Sequence, residues 1–523
     1  MTDMSSKTYD IIIVGGGHNG LVCAAYLAKS GKQVLVLEAN DQVGGAAVTS
    51  ALSYGKSVSA CAHYLNQLNT KVAKDLRLAD HGLVMAAHDV STIALDVDGN
   101  HLRLDGAAII AGEISQKDTA QYTRFMALMH DYAKTLGFLI DTPPIDIFAP
   151  DWNDKMAAIK LGWNMRFGLG AEKMSEFLRM IGMNIYDVLS DEFEDPGLKG
   201  VLAFDAVLGT HTGPRSPGSV LTFLYRHAAG ENGAAHIPKG GMGAVTQAMA
   251  KSAIEFGAEI RTAARVARIN VENCVVTGVT LQNGEVIDAK QVVSNADPKT
   301  TVMDLAGPRN FESDFVHRVD NIRMRGNAAK LHLALRGLPE FTGLDSEALQ
   351  HRLVIAPDSD EVERAFNHVK YGEVSERPMM EISIPSTVDD TLATSGHVMS
   401  ATVQYAPYAL KGGWTETARA GFLENCIDRI ASYAPDIRDQ IEHVELITPV
   451  DLEAKYGMRG GNWHHAELTL DQMVMLRPVP GASRYALPLE GLYLCGAGAH
   501  PGGGVMGAAG RNAARAILAG EIS

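Results

Sequence analysis

Two glycine clusters, one at each end of this 523-residue chain, carry the clearest chemistry in the sequence. Near the start, Gly15, Gly17 and Gly20 stand in the spacing G-x-G-x-x-G, with His18 and Asn19 between the last two. Glu38 follows eighteen residues after Gly20, with Ala39 next to it, and Gly44-Gly45-Ala46 comes a few residues later. Near the end, Cys495-Gly496 leads through His500-Pro501 to Gly502-Gly503-Gly504-Val505. A glycine loop that opens a helix offers backbone N–H groups to an anion. In the N-terminal loop, Gly15 would make the turn, Gly17 would let the backbone approach a pyrophosphate, and Gly20 would let helix pack on strand. Glu38 would accept from ribose hydroxyls.

A second set of residues has side chains suited to proton transfer. His63-Tyr64 follows the small-residue run Ser57–Ala62, and either could serve as acid, base or hydrogen-bond donor, or hold a structural place. Lys330 lies in the otherwise apolar run Ala328–Leu335. Buried, it needs a partner or loses its proton; at a strand end it would reach solvent instead. His332 falls on the same strand face. His500 precedes the second glycine cluster, where ligand contact, proton transfer and turn shaping are all open. His464-His465 are adjacent rather than one helical turn apart, so no metal site is expected there.

The elements that must position these groups are legible in outline. Tyr9–Val14 is an apolar run of buried-strand type. Leu21–Lys29 predicts a helix ending at Ser30-Gly31, and Gln33–Leu37 a second strand. Further strands are expected at Thr92–Asp96, His101–Leu104, Val266–Ile269, Val275–Leu281, Lys330–Leu335, Met380–Ile384 and Val398–Tyr405. Helices are expected at Asp118–Ile140, Asp154–Arg166 and Glu416–Ser432, with a last one starting near Gly503–Val505.

The order of strand, glycine loop, helix, acid and Gly-Gly resembles the flavoprotein superfamily that includes amine oxidases and phytoene desaturases. Ile237-Pro-Lys-Gly-Gly-Met-Gly-Ala-Val245 is similar to a stretch that opens a helix in both groups, and Val292–Pro298 to the return to the cofactor domain. Gly461–Leu468, with Asp471-Gln472, and His500–Val505 resemble the phytoene desaturase-like branch called pyridine nucleotide-disulphide oxidoreductase domain proteins. Amine oxidases usually place Arg directly after the Gly pair, where this chain has Ala46. The chain has no Cys-x-x-Cys pair.

The resemblance implies FAD, held by the N-terminal glycine unit, by Val266 and by Gly496, Gly503, Gly504 and Val505 beneath the flavin ring. No His or Cys stands in a known attachment motif, so the expected binding is noncovalent. A helix N-terminus at the flavin pyrimidine would stabilise the negative charge that gathers on N1 and O2 upon reduction. In amine oxidases a Lys similar to Lys330 holds a water near flavin N5.

The expected fold class is α/β, a Rossmann-like FAD-binding domain of discontinuous segments with an α+β substrate domain. The cofactor domain would comprise residues 1–80, 237–305 and 451–523, and the substrate domain 81–236 and 306–450, with the pocket at their junction. The net charge of −15 argues against a nucleic-acid partner. Five scattered cysteines fit a reducing cytoplasm, and no apolar run is long enough to span a bilayer. Apolar residues within 118–185, such as Phe167, Leu169, Met174 and Phe177, fit either core packing or peripheral membrane contact.

The expected reaction is dehydrogenation of a carbon–carbon bond in an apolar or cyclic small molecule. A hydride would pass to flavin N5, and oxygen or a quinone would reoxidise the flavin. The rival readings are oxidation of an amine C–N bond and a non-redox, flavin-dependent isomerase or binding role. The oligomeric state is not set by these features.

Overall fold

A computed structural model describes residues 8–145, 152–231 and 233–520. Its first sheet is built on Tyr9–Val14, whose apolar side chains are buried on both faces. This central strand pairs in parallel with Val34–Leu37 on one side and with Val286–Ser294 on the other. Glu259–Arg261 extends the sheet beyond Val34–Leu37, and Leu492–Leu494 pairs in parallel with the end of Val286–Ser294. The front half of that same long strand carries an antiparallel hairpin, Val275–Leu281 and Val266–Glu272. Strands distant in sequence thus share one Rossmann-like sheet, whose parallel pairs need crossover connections and buried faces.

The two ends of the chain meet over this sheet. Helix His18–Lys29 packs against helix Ala508–Gly520, and Gly510 sits so close that a Cβ there would lie 2.1 Å from the Asn19 carbonyl oxygen. The last helix begins at Ala508, not at Gly503–Val505 as the sequence suggested. Gly502 and Gly504 have φ of 129° and 131°, and Val505 also has positive φ, so this stretch is loop.

The second sheet has eight strands in the order Ile441–Ile447, Ala328–Leu335, His397–Gln404, Met379–Ser383, Arg352–Ile355, Thr92–Ala94, Leu102–Asp105 and Ala108–Ala111. Its pairs are antiparallel except that between Arg352–Ile355 and Thr92–Ala94. Alternation divides its two faces. Ala329, Leu331, Ala401, Val403, Met380 and Ile382 share a core with Phe422, Cys426 and Ile430 of helix Glu416–Ala431. On the opposite face, register places Lys330, Thr402 and Glu381 in one row across three adjacent strands. The chain is therefore an α/β protein with a Rossmann-like domain and a second, mixed-sheet domain. Among the described residues, no helix is long and apolar enough to cross a membrane.

Candidate active site

A cavity of about 390 Å³ runs from the N-terminal glycine loop to the polar row of the second sheet. At one end, Gly15, Gly17, His18, Asn19, Glu38, Ala39, Gly44, Gly45, Ala46 and Val266 all line it. Gly17 begins helix His18–Lys29 without a side-chain cap, and the first turn carries no acid, so its N-terminal N–H groups are left for a ligand. The Gly16 carbonyl accepts from Gly44 N–H at 2.8 Å, which folds the Gly pair onto the loop. A Cβ on Gly45 would come within 3.4 Å of Gly17 Cα. Glu38 is fixed by Gly16 N–H at 2.8 Å and Asn40 N–H at 2.9 Å, one on each carboxylate oxygen. Each oxygen keeps a lone pair for a hydroxyl.

Some predicted loop residues stand off the cavity and serve the backbone instead. A Cβ on Gly20 would lie 2.3 Å from the Gly15 carbonyl, and one on Gly496 would lie 2.4 Å from that of Asn295. Gly503 packs on His464, where a Cβ would come 3.0 Å from Nδ1. Gly504 and Val505 do reach the cavity. His500 does not: its ring is buried, and Nε2–H donates to the Leu139 carbonyl at 2.8 Å. That bond ties the loop to the end of helix Gln116–Ile140. Burial pushes its pKa down to about 4, so the ring is neutral and shapes the loop.

The opposite end gathers a charged cluster. Lys330 is fully buried and stands behind the cavity wall rather than in it. Its Nζ donates to His63 Nδ1 at 2.8 Å and to Thr402 Oγ1 at 3.1 Å. His63 Nε2–H in turn donates to Glu381 Oε1 at 3.0 Å. This fixes one neutral tautomer, and burial, then Lys330, lowers the imidazole pKa to about 4. Burial also lowers the Lys330 pKa, to about 8. Burial works against the charge of Glu381, yet Arg352 and then His63 hold its carboxyl well below the usual range. Arg352 also pairs with Asp205, and Arg226 bridges Asp205 and Glu381 at 3.7 and 3.4 Å. His63, Tyr64, Asp205, Arg226, Glu381 and Thr402 line the cavity. Tyr64 meets the His63 ring edge-on, and its hydroxyl donates to the Ile382 carbonyl at 3.2 Å. His332 turns away to Ser400 Oγ and the Ala60 carbonyl.

Sequence reasoning missed Asp205, Arg226, Arg352 and Glu381, because only the folded sheet and its flanking helices bring them together. It also missed Arg477. This guanidinium is wholly buried, and its bonds go to backbone carbonyls of His464, Glu467, Gln472 and Ala497. His464 and Ala497 line the cavity, so Arg477 pins its wall. An arginine with five donors can satisfy several carbonyls at once; an apolar isostere strands them. Arg477→Met is expected to cost on the order of 3–5 kcal/mol, from several buried carbonyls left unpaired. Thermal melting and the flavin-to-protein ratio check this; unchanged values of both would remove Arg477 from the wall.

Buried polar atoms on residues that line the cavity test whether a large cofactor fits. His18 Nε2, Asn19 Oδ1, His464 Nδ1 and His465 Nδ1 have no hydrogen-bond partner among the described residues. Buried polar atoms are normally satisfied, so these, with the uncapped helix end and the glycine approach, suit a ligand rich in hydrogen-bonding groups. A dinucleotide with a heteroaromatic ring is of that kind. Burial and His465 keep His18 neutral, with a pKa of about 4, and burial lowers that of His464 to about 3.

Comparison with known proteins identifies the dinucleotide. The family described as flavin containing amine oxidoreductase matches residues 20–518. Pyridine nucleotide-disulfide oxidoreductase domain-containing protein 2 from Rattus norvegicus is 35% identical over 542 residues, covering 98% of this chain and 93% of its own length. One of the subunits of limonene dehydrogenase from Castellaniella defragrans is 28% identical, over 98% of this chain and 94% of that protein. The solved cyclohexylamine oxidase from Brevibacterium oxydans superimposes with a TM-score of 0.60 at 16% identity, covering 99% of this chain and 100% of that one, and so shares the fold. A cavity made for a dinucleotide, and a family match that runs along nearly the whole chain, lead to one conclusion: this protein belongs to the flavin-containing amine oxidoreductase family, as an oxidoreductase that binds FAD.

Proposed function

We propose that the protein dehydrogenates a carbon–carbon bond of an apolar or cyclic small molecule that carries no ammonium group. Residues 1–80, 237–305 and 451–523 form the cofactor part in this reading, and 81–236 and 306–450 the substrate part. The observation that carries it is the charge balance at the far end of the cavity. Asp205 and Glu381 are both engaged by Arg226 and Arg352, with Lys330 close behind. Among the described residues lining that end, no unpaired carboxylate stands ready for a substrate cation, because two guanidiniums balance the two carboxylates. The limonene dehydrogenase relative, by its name, belongs to a dehydrogenase of a hydrocarbon, and it aligns over nearly the entire chain.

FAD, when bound, supplies the hydride acceptor at N5. The protein holds the proton that leaves beside the hydride. Thr402 Oγ1 lines the cavity and contacts Lys330 Nζ, so a proton released from substrate reaches Lys330 through this hydroxyl, while both ring nitrogens of His63 are engaged by Lys330 and Glu381. A lysine with a pKa near 8 is partly neutral at ordinary pH and accepts it. His63 and Glu381 keep the amine in place. Arg226 and Tyr64 orient the substrate, and oxygen or a quinone takes the electrons in the second half-reaction.

The test is anaerobic mixing of the holoenzyme with cyclic ketones, terpenes, polyenes and amines, following the flavin absorbance and the product. Bleaching by a substrate without an amine, with an unsaturated product, is the expected result. Bleaching by an amine alone, with peroxide on admitting air, would make this an amine oxidase. Conversion of substrate without bleaching would make it an isomerase.

A further inference from the structure

Away from the cavity, the exposed large apolar side chains are unevenly spread. Trp152, Met156, Ile159, Trp163 and Phe167 are each 47–73% exposed and fall in one short segment, helix Trp152–Trp163 and the π-turn Asn164–Leu169 that continues it. The spacing of four, three and four residues puts the first four within an arc of about 60° on an α-helix. Phe167 lies one turn on, its ring 4.3 Å from that of Trp163. These residues form a stripe that faces solvent, unlike the buried Phe177 of the next helix. A stripe of this size calls for a covering partner.

The charges around the stripe say what the partner is. Lys155, Lys160 and Arg166 are exposed on the same segment, while its acid, Asp154, is buried and paired with Arg484. Lys160 reaches over the Phe138 ring, 5.5 Å from its centre, into a groove of about 500 Å³. Lys71, Lys134, Lys160, Arg511 and Arg515 line that groove, against the single carboxylate Asp141. Asp141 is taken by Lys71, and among the described residues Lys134, Lys160 and Arg515 have no carboxylate partner. Arg511 is 8% exposed and its Nε is unsatisfied. Five cations around one groove, in a chain of net charge −15, form a localised anion site next to an apolar stripe.

We propose that this face docks on a bilayer containing anionic phospholipids. The Trp152–Phe167 stripe would enter the headgroup–acyl boundary, and the groove between the ends of helices Gln116–Ile140 and Ala508–Gly520 would take a lipid phosphate. Tryptophan and phenylalanine suit that boundary, and lysine stems can lie along apolar surface while their ammonium groups meet phosphates. The segment lies on the membrane and does not cross it, in keeping with its length and with the exposed Lys155 and Lys160 that flank the stripe. This inference does not depend on the reaction assigned to the cavity.

Flotation of the holoenzyme with phosphatidylcholine vesicles, with and without phosphatidylglycerol, tests it. The protein is expected to float with the anionic vesicles and to be released by salt. Neutralising three cations in Lys134→Gln/Lys160→Gln/Arg515→Gln should lower partitioning on the order of a hundredfold, about fivefold per charge. Trp152→Ser/Trp163→Ser should also abolish flotation. Both variants should keep bound flavin and the wild-type melting temperature, because the changed residues are exposed or line an open groove. Equal flotation with both vesicle types, no flotation at all, or wild-type flotation by the triple variant overturns the proposal. So does a dimer in lipid-free buffer that the tryptophan variant dissociates, since a second copy would then cover the stripe.

Discussion

Gly504→Val is expected to yield a folded but nearly colourless protein. Gly504 has φ of 131°, a conformation closed to a β-branched residue, and the added Cβ would fall 2.1 Å from Gln67 Oε1. Gln67 is itself anchored, donating from Nε2 to the Tyr225 carbonyl at 2.8 Å. The loop would have to move, and both Gly504 and Gln67 line the cavity. A shift of either residue toward the cavity takes space from the cofactor. The flavin-to-protein absorbance ratio of purified variant is the measurement, with circular dichroism to show that the fold persists. A yellow Gly504→Val protein with wild-type flavin content would mean that this loop does not bound the cofactor.

Lys330→Met is expected to slow anaerobic flavin reduction by a factor on the order of 10²–10⁴, the usual contribution of one positioned acid–base group. The pH profile gives the sharper readout. Burial lowers the Lys330 pKa to about 8, so the proton-accepting form grows as pH rises and is complete above that value. The wild-type reduction rate should therefore climb with pH and level off above about 8, and Lys330→Met should lose that limb. The same shift sets a stability window. Between about 8 and the unfolded value near 10.4 the unfolded chain binds the extra proton, so Lys330 adds stability to the native state as pH rises through that range. Methylamine should restore part of the rate in the variant, which a packing role would not allow. An unchanged rate and limb would reduce Lys330 to a structural partner of His63.

The cofactor half of the site was legible because it is local. Gly15, Gly17, Glu38 and the Gly44-Gly45 pair act through backbone geometry within a few dozen residues, and the spacing of glycines records that geometry directly. The strands at Val275–Leu281 and Ala328–Leu335, and the helix that starts at Glu416, were readable for the same reason: their periodicity is a local property. The last helix was misplaced because a glycine run can open a helix or remain a loop. The choice fell to packing, with His500 bonded to Leu139 and Gly504 set against Gln67.

Of the substrate half, His63, Tyr64 and Lys330 stood out in the sequence, but their meeting and their partners did not. Lys330, Thr402 and Glu381 stand in one row only because three antiparallel strands fix their register, and His63 is inserted between Lys330 and Glu381 from a loop some 270 residues earlier. Whether Lys330 snorkels to solvent or is buried depends on what covers that sheet face, and nothing near it in the chain says so. By itself, then, the sequence determined a dinucleotide-binding α/β protein and its branch of flavoproteins, since backbone-encoded motifs survive without context. Only the tertiary structure decided which charges meet at the cavity's far end and which stripe of apolar side chains stays in water. Those outcomes depend on burial and pairing between distant segments, which local residue patterns do not record.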